Sequence, residues 1–178
     1  MKGIMASAVQ IPVQEYLNGS FDLEPDAEYV DGAIEERPKG EWDHTTWQQA
    51  IELWFVQHRL QWNIRVRVEQ RVQTSPTRFR IPDVVVVSRS LPTEQILMHA
   101  PVAVFEIVSP DDRMPRVLVK LEDYERMGIR SIFCGESADA EYLPVEGGAL
   151  KPATAARYEL AGHTAGFVDW PAIVELLD

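Results

Sequence analysis

The chain has 178 residues, 46% apolar and 25% charged, the composition of an ordinary globular protein, at a length where one domain is the default. Its single cysteine, Cys134, excludes an internal disulfide and a multi-cysteine zinc cage and predicts a reducing, cytoplasmic setting. No run approaches the roughly 18 continuous apolar residues of a membrane helix, the N-terminal stretch is too weak for a secretory apolar region, and a net charge of −11 counts against a surface that grips nucleic acid all round.

Residues 1–26 read as a lead-in with one helical turn at 13–17. The next segment, 27–36, places two short runs about Asp31-Gly32, a dipeptide that favours a tight turn, and predicts a β-hairpin. Trp47, Ala50, Ile51, Trp54, Phe55 and His58 then recur at helical spacing, which predicts a helix over 44–61. Residues 64–73 alternate Ile64, Val66 and Val68 with Arg65, Arg67, Glu69 and Arg71, the pattern of a half-buried strand with a basic face. That face lies in the only net-positive third of the chain, 59–130, and is either solvated or meets an anion; Arg65, Arg67 and Arg71 are the candidate nucleic-acid contacts.

The runs IPDVVVVS (81–88) and VAVFEIVS (102–109) are rich in β-branched residues, as strands buried on both faces are, and SIFCG (131–135) is a shorter one. Between the last two, Pro115 to Met127 predicts a helix with Val117, Leu121 and Tyr124 on one side and Gly128 as its stop. A strand, helix, strand crossover implies a parallel pair. From 136 to 178 short runs suggest a small antiparallel extension closed by a helix over 170–177. The fold class is α/β: one domain, 1–178, with a central mixed sheet flanked by helices.

Asp83 and Glu106 stand inside two of these apolar runs. An ionised carboxylate buried without a partner costs several kcal/mol or more, so each must neutralise or be compensated by a cation. Alternation puts Asp83 on one face with Val85 and Val87, and Glu106 on one face with Val104 and Val108, so the two acids converge if these faces coincide. Left without a cation they repel, and one should hold a raised pKa. The alternative is that each acid ends a strand and simply accepts backbone or arginine hydrogen bonds. Lysine is scarce in the chain, with Lys2, Lys39, Lys120 and Lys151 only, and Lys120 lies on the helix after Glu106. Asp83, Glu106 and a nearby lysine form a minimal set for Mg²⁺- or Mn²⁺-assisted phosphodiester hydrolysis, in which carboxylates hold a hard cation and the lysine offsets charge on the phosphate. Taken alone, Lys120 reads as a solvated helix residue.

Tyr29-Val30-Asp31-Gly32, His44 opening a helix, Ile81-Pro82-Asp83-Val84, Glu106-Ile107-Val108-Ser109-Pro110, Lys120-Leu121, Tyr124 and Gly128-Ile129 together resemble the bacterial Uma family of "putative restriction endonucleases", of the PD-(D/E)XK nuclease superfamily. The resemblance runs from about Glu15 to about Phe133. It implies a restriction-endonuclease-like core in which Asp83 and Glu106 are metal ligands and a lysine completes the site. The superfamily's lysine slot, two residues after Glu106, holds Val108 here, so the lysine is expected to be Lys120, supplied from the helix.

Glu28, Glu36 and His44 are accessory candidates, for a further ligand or a phosphate contact, or else surface carboxylates and a helix-end histidine. His58 continues an apolar stripe and reads as a half-buried core residue, and Cys134 as a structural thiol. The resulting expectation is an endonuclease acting on DNA, a homodimer because cutting both strands is easiest with two sites. The alternative is a nucleic-acid-binding or protein-interaction module that keeps the fold and has lost the chemistry, as Val108 and the acidic charge would allow.

Overall fold

A computed structural model describes residues 10–19, 27–37, 40–110, 112–136, 142–163 and 165–177. Most of the expected lead-in, 1–26, lies outside them; within it Val13–Leu17 forms a short helix, α1, whose Tyr16 packs on Tyr29 and Phe79. Strands β1 (Glu28–Val30) and β2 (Ala33–Glu35) make the expected hairpin. Both residues of its loop, Asp31 and Gly32, have positive φ, 49° and 96°, as a two-residue turn matched to strand twist requires.

Helix α2 (Trp42–His58) buries the expected stripe of Trp47, Ala50, Ile51, Trp54 and Phe55, and adds His44 one turn earlier. It begins and ends two and three residues before the predicted limits, because 59–63 form a turn in which the Trp62 amide returns to the His58 carbonyl. His58 is half-buried, stacked on Trp62, as expected.

The basic strand predicted over 64–73 is two strands. Strand β3 (Ile64–Val68) stops at Glu69, whose φ of 51° turns the chain away, and β4 (Val72–Ser75) continues in a different sheet. Strand β5 (Arg78–Arg80), absent from the sequence reading, joins β4 to the hairpin, giving a four-stranded sheet of order β2-β1-β5-β4. Strands β6 (Val84–Ser88), β7 (Ala103–Val108) and β8 (Ser131–Glu136) are the expected central strands.

Helix α3 (Met114–Met127) begins at Pro115's turn, stops at Gly128 in the left-handed conformation (φ 95°), and carries the chain from β7 to β8, which pair in parallel. Strands β9 (Tyr142–Glu146) and β10 (Ala149–Leu150) add to this sheet beyond β8 as an antiparallel extension, so its order is β10-β9-β8-β7-β6-β3. A last ribbon of β11 (Arg157–Glu159) and β12 (Phe167–Asp169) leads into α4 (Trp170–Val174), shorter than the predicted 170–177.

The six-stranded sheet is covered on both faces. Helices α2 and α4 pack on Val84, Val86, Phe105 and Ile107, while α3 packs on Val85, Val87, Val104 and Val108. The face parity deduced from alternation therefore holds: Val85 and Val87, which alternate with Asp83, and Val104 and Val108, which alternate with Glu106, all lie on the α3 side. No helix among the described residues is long and apolar enough to cross a membrane.

Candidate active site

Antiparallel pairing sets Val84 opposite Phe105 and Val85 opposite Val104, so the residue before β6, Asp83, falls beside Glu106 of β7. Asp83 and Glu106 are 3% and 6% exposed at one end of a pocket also lined by Glu28, Arg37, His44, Val108, Arg116 and Lys120. The strand ladder itself helps to hold Asp83: its Oδ2 accepts the Ile107 amide at 2.7 Å, and its carbonyl accepts the Gln48 side chain at 3.0 Å and the Glu69 amide at 3.2 Å. Oδ1 faces Arg37 Nη2 at 2.5 Å and His44 Nε2 at 3.4 Å.

Lys120 comes from α3. It stands three residues after Val117 and four before Tyr124, both buried, so it occupies the inward stripe of the helix rather than its solvent face. Its Nζ donates to Glu106 Oε2 at 2.7 Å and to the Ile81 carbonyl at 2.9 Å, and lies 2.9 Å from Glu28 Oε1. Three acceptors use all three ammonium protons. The Tyr124 hydroxyl donates to the other Glu106 oxygen at 2.6 Å. Val108, two residues after Glu106, is a buried wall of the pocket.

Behind Lys120 lies an ion network that the sequence reading missed. Glu28 accepts the Ile81 amide on Oε1 and Arg80 Nη1 on Oε2, each at 2.9 Å. Arg80, only 1% exposed, also binds Asp123 at 2.8 Å and Glu35 at 3.1 Å. Arg78 adds a second bond to Asp123, and Arg116 one to Glu35. A guanidinium at that depth is tolerable only because its fork is filled by carboxylates.

Charge is distributed unevenly among the acids. Burial alone would raise Asp83, but the His44 bond and the Lys120 and Arg37 charges prevail and hold its pKa below the ordinary value. Glu28 is lowered likewise, burial being outweighed by Lys120, Arg80 and the Ile81 amide. Glu106 goes the other way: burial, reinforced by the neighbouring Asp83 and Glu28 charges, exceeds the pull of Lys120 and pushes it up to about 7. The raised pKa expected of one member of the pair thus falls on Glu106. Lys120 is raised, the surrounding carboxylates overcoming burial, and so is His44, through Asp83. Burial pushes the Cys134 thiol up to about 12, in keeping with a structural cysteine.

Of the accessory candidates, Glu28 and His44 reach the pocket and Glu36 does not. Glu36 is exposed and contributes only its carbonyl to Arg116, while its neighbour Glu35 points inward to Arg80 and Arg116. The three arginines of the predicted basic strand are dispersed. Arg65 and Arg67 remain on edge strand β3, bonded to the Leu91 and Val66 carbonyls, and Arg71 lies over the Tyr16 ring, 4.9 Å from its centroid.

No group of three or more His, Cys, Asp or Glu side chains among the described residues is arranged to hold a metal ion. The donor chemistry nevertheless suits Mg²⁺ or Mn²⁺, since such ions commonly take one or two carboxylates and complete their shell with water and substrate phosphates. Asp83, just before β6, and Glu106, in β7, could provide that pair.

The family model Uma2, described as "Putative restriction endonuclease", matches residues 13–141. The chain belongs to the Uma2 family. The crystal structure of a "putative nuclease belonging to DUF820" from Anabaena variabilis is similar to it, with a TM-score of 0.72 at 20% identity over 94% of this chain and 99% of that one. The two share a fold, here the expected α/β arrangement of a mixed sheet flanked by helices. A search of curated proteins finds no match.

Proposed function

We propose that this Uma2 protein is a divalent-cation-dependent nuclease that hydrolyses phosphodiester bonds in DNA, with Asp83, Glu106 and Lys120 as its chemical centre. The observation that carries this reading is the delivery of Lys120 from α3 onto Glu106, 2.7 Å away, beside a second buried acid, Asp83, at the start of the adjoining strand. Family membership supports it independently. Asp83 and Glu106 would hold Mg²⁺ or Mn²⁺, which when bound supplies an acidified water and a Lewis acid for the phosphate. Lys120, held charged by its carboxylate neighbours, offsets negative charge building on the phosphoryl oxygens. Tyr124 fixes the rotamer of Glu106 through its free oxygen. Arg65 and Arg67 are proposed as DNA-backbone contacts, because β3 is an open edge whose end adjoins Asp83 through the Glu69 amide. A homodimer would bring two such centres to the two strands of a duplex.

One observation favours the second reading, a binding module without chemistry: the oxygens of both acids already receive donors from the protein itself. Incubation of supercoiled plasmid with Mn²⁺ and either wild type or Asp83→Ala separates the two. Nicking by wild type alone is expected; intact plasmid with both proteins, or nicking by both, defeats the nuclease reading.

A further inference from the structure

The two acids are compensated by different kinds of cation. Lys120 is built in: it sits between Val117 and Tyr124 on a fourteen-residue helix and is bonded to three acceptors. Arg37, its side chain as buried as that of Lys120, is held by fewer bonds: it lies two residues past the end of β2, outside the strand ladder, and its hydrogen bond among the described residues goes to Asp83 Oδ1 at 2.5 Å. The next carboxylate within reach, Glu69, is 3.8 Å away and half exposed. Arg37 can therefore leave Asp83 without breaking a strand pair, and the exposed Glu69 remains beside it to receive the charge.

We propose that Arg37 is the resident partner of Asp83 that a divalent cation must displace, so that guanidinium and metal are mutually exclusive on this carboxylate and Arg37 sets the affinity of the site. The proposal rests on Asp83 being a cation ligand, as proposed above, and goes beyond it in assigning a residue that acts through Asp83. The remaining oxygen of Asp83 accepts the Ile107 amide of β7, so Oδ1, which also faces His44 Nε2 at 3.4 Å, is the oxygen left toward the pocket. A cation held by Oδ1 would compete with the guanidinium for that oxygen, and a single positive charge beside a double one in a buried site is repelled.

Isothermal titration with Mn²⁺ of the EDTA-stripped full chain tests this without reference to cleavage. Arg37→Gln should bind Mn²⁺ about tenfold or more tighter than wild type, the scale on which a neighbouring guanidinium alters a carboxylate's affinity for a cation. Arg116→Gln is the control, since Arg116 lines the same pocket but pairs with Glu35; its affinity should stay within about twofold of wild type. Should the Gln variant fail to fold by circular dichroism, Arg37→Met carries the same expectation. Equal or weaker binding by the Arg37 variant overturns the proposal while leaving Asp83 a cation ligand. An equal gain in Arg116→Gln also overturns it, by showing a general charge effect. Absence of Mn²⁺ binding in wild type and variants alike overturns both this proposal and the cation site beneath it.

Discussion

Replacing Glu106 by Gln should flatten the pH dependence of folding in a direction set by the sign of its shift. Its pKa rises from an ordinary 4.5 to about 7 in the folded protein, chiefly by burial and then by the nearby Asp83 and Glu28 charges. Between those values the folded state binds more protons than the unfolded state, so the Glu106 contribution to stability is fully present below pH 4.5 and is lost as pH rises through 7. At about 1.4 kcal/mol per pKa unit, this loss amounts to about 3 kcal/mol. Gln keeps the shape and can accept from Lys120 while donating to the Tyr124 oxygen, but it has no charge to lose. Urea unfolding in EDTA from pH 5 to pH 8.5 should therefore show the Gln variant gaining about 2–3 kcal/mol on wild type across the range, whatever the offset between them at pH 5. Parallel stability curves would refute the assignment of the repulsion to Glu106.

Arg80→Met should cost about 3–5 kcal/mol in chemical denaturation, because two buried acids would each lose a cation, leaving Glu28 to Lys120 and Asp123 chiefly to Arg78; a loss under about 1 kcal/mol would show that the network relaxes. His44→Gln should destabilise most at acid pH: burial opposes protonation but Asp83 prevails, so the stabilisation from charged His44 is present below its ordinary 6.5 and disappears as pH rises through the folded value. Equal losses at pH 5.5 and pH 9 would contradict that charge assignment. Arg65→Gln with Arg67→Gln should reduce the salt dependence of DNA affinity by about one to two counterions, read as the slope of log affinity against log salt, and an unchanged slope would remove β3 from the DNA face.

The strands that carry the acids were legible because burial on two faces leaves a continuous apolar run, in which a single Asp or Glu is conspicuous. Helix α2 was legible through its aromatic stripe. The break at Glu69 was not, since Val66, Val68 and Val72 keep the alternation of a single strand while a non-glycine residue reverses the backbone without a turn signal. Strand β5 was hidden for a related reason: Arg78-Phe79-Arg80 reads as a solvated segment, and the acids that allow Arg80 to be buried lie 43 to 52 residues away in the chain. For Lys120 a signal did exist, its spacing from Val117 and Tyr124, which placed it on the buried side of α3. The choice between Glu35 and Glu36 turned on hairpin parity, which a two-residue loop alone does not reveal.

Plasmid cleavage by Lys120→Met tests the central claim most directly, that a helix lysine replaces the strand lysine missing at Val108. With Mn²⁺ present, the variant should still bind Mn²⁺ and DNA but cleave about a hundredfold to a thousandfold more slowly than wild type, the usual cost of removing a group that stabilises transition-state charge. Cleavage at the wild-type rate would contradict the account, because the lysine at 120 would then be a structural cation for Glu28 and Glu106 and nothing more.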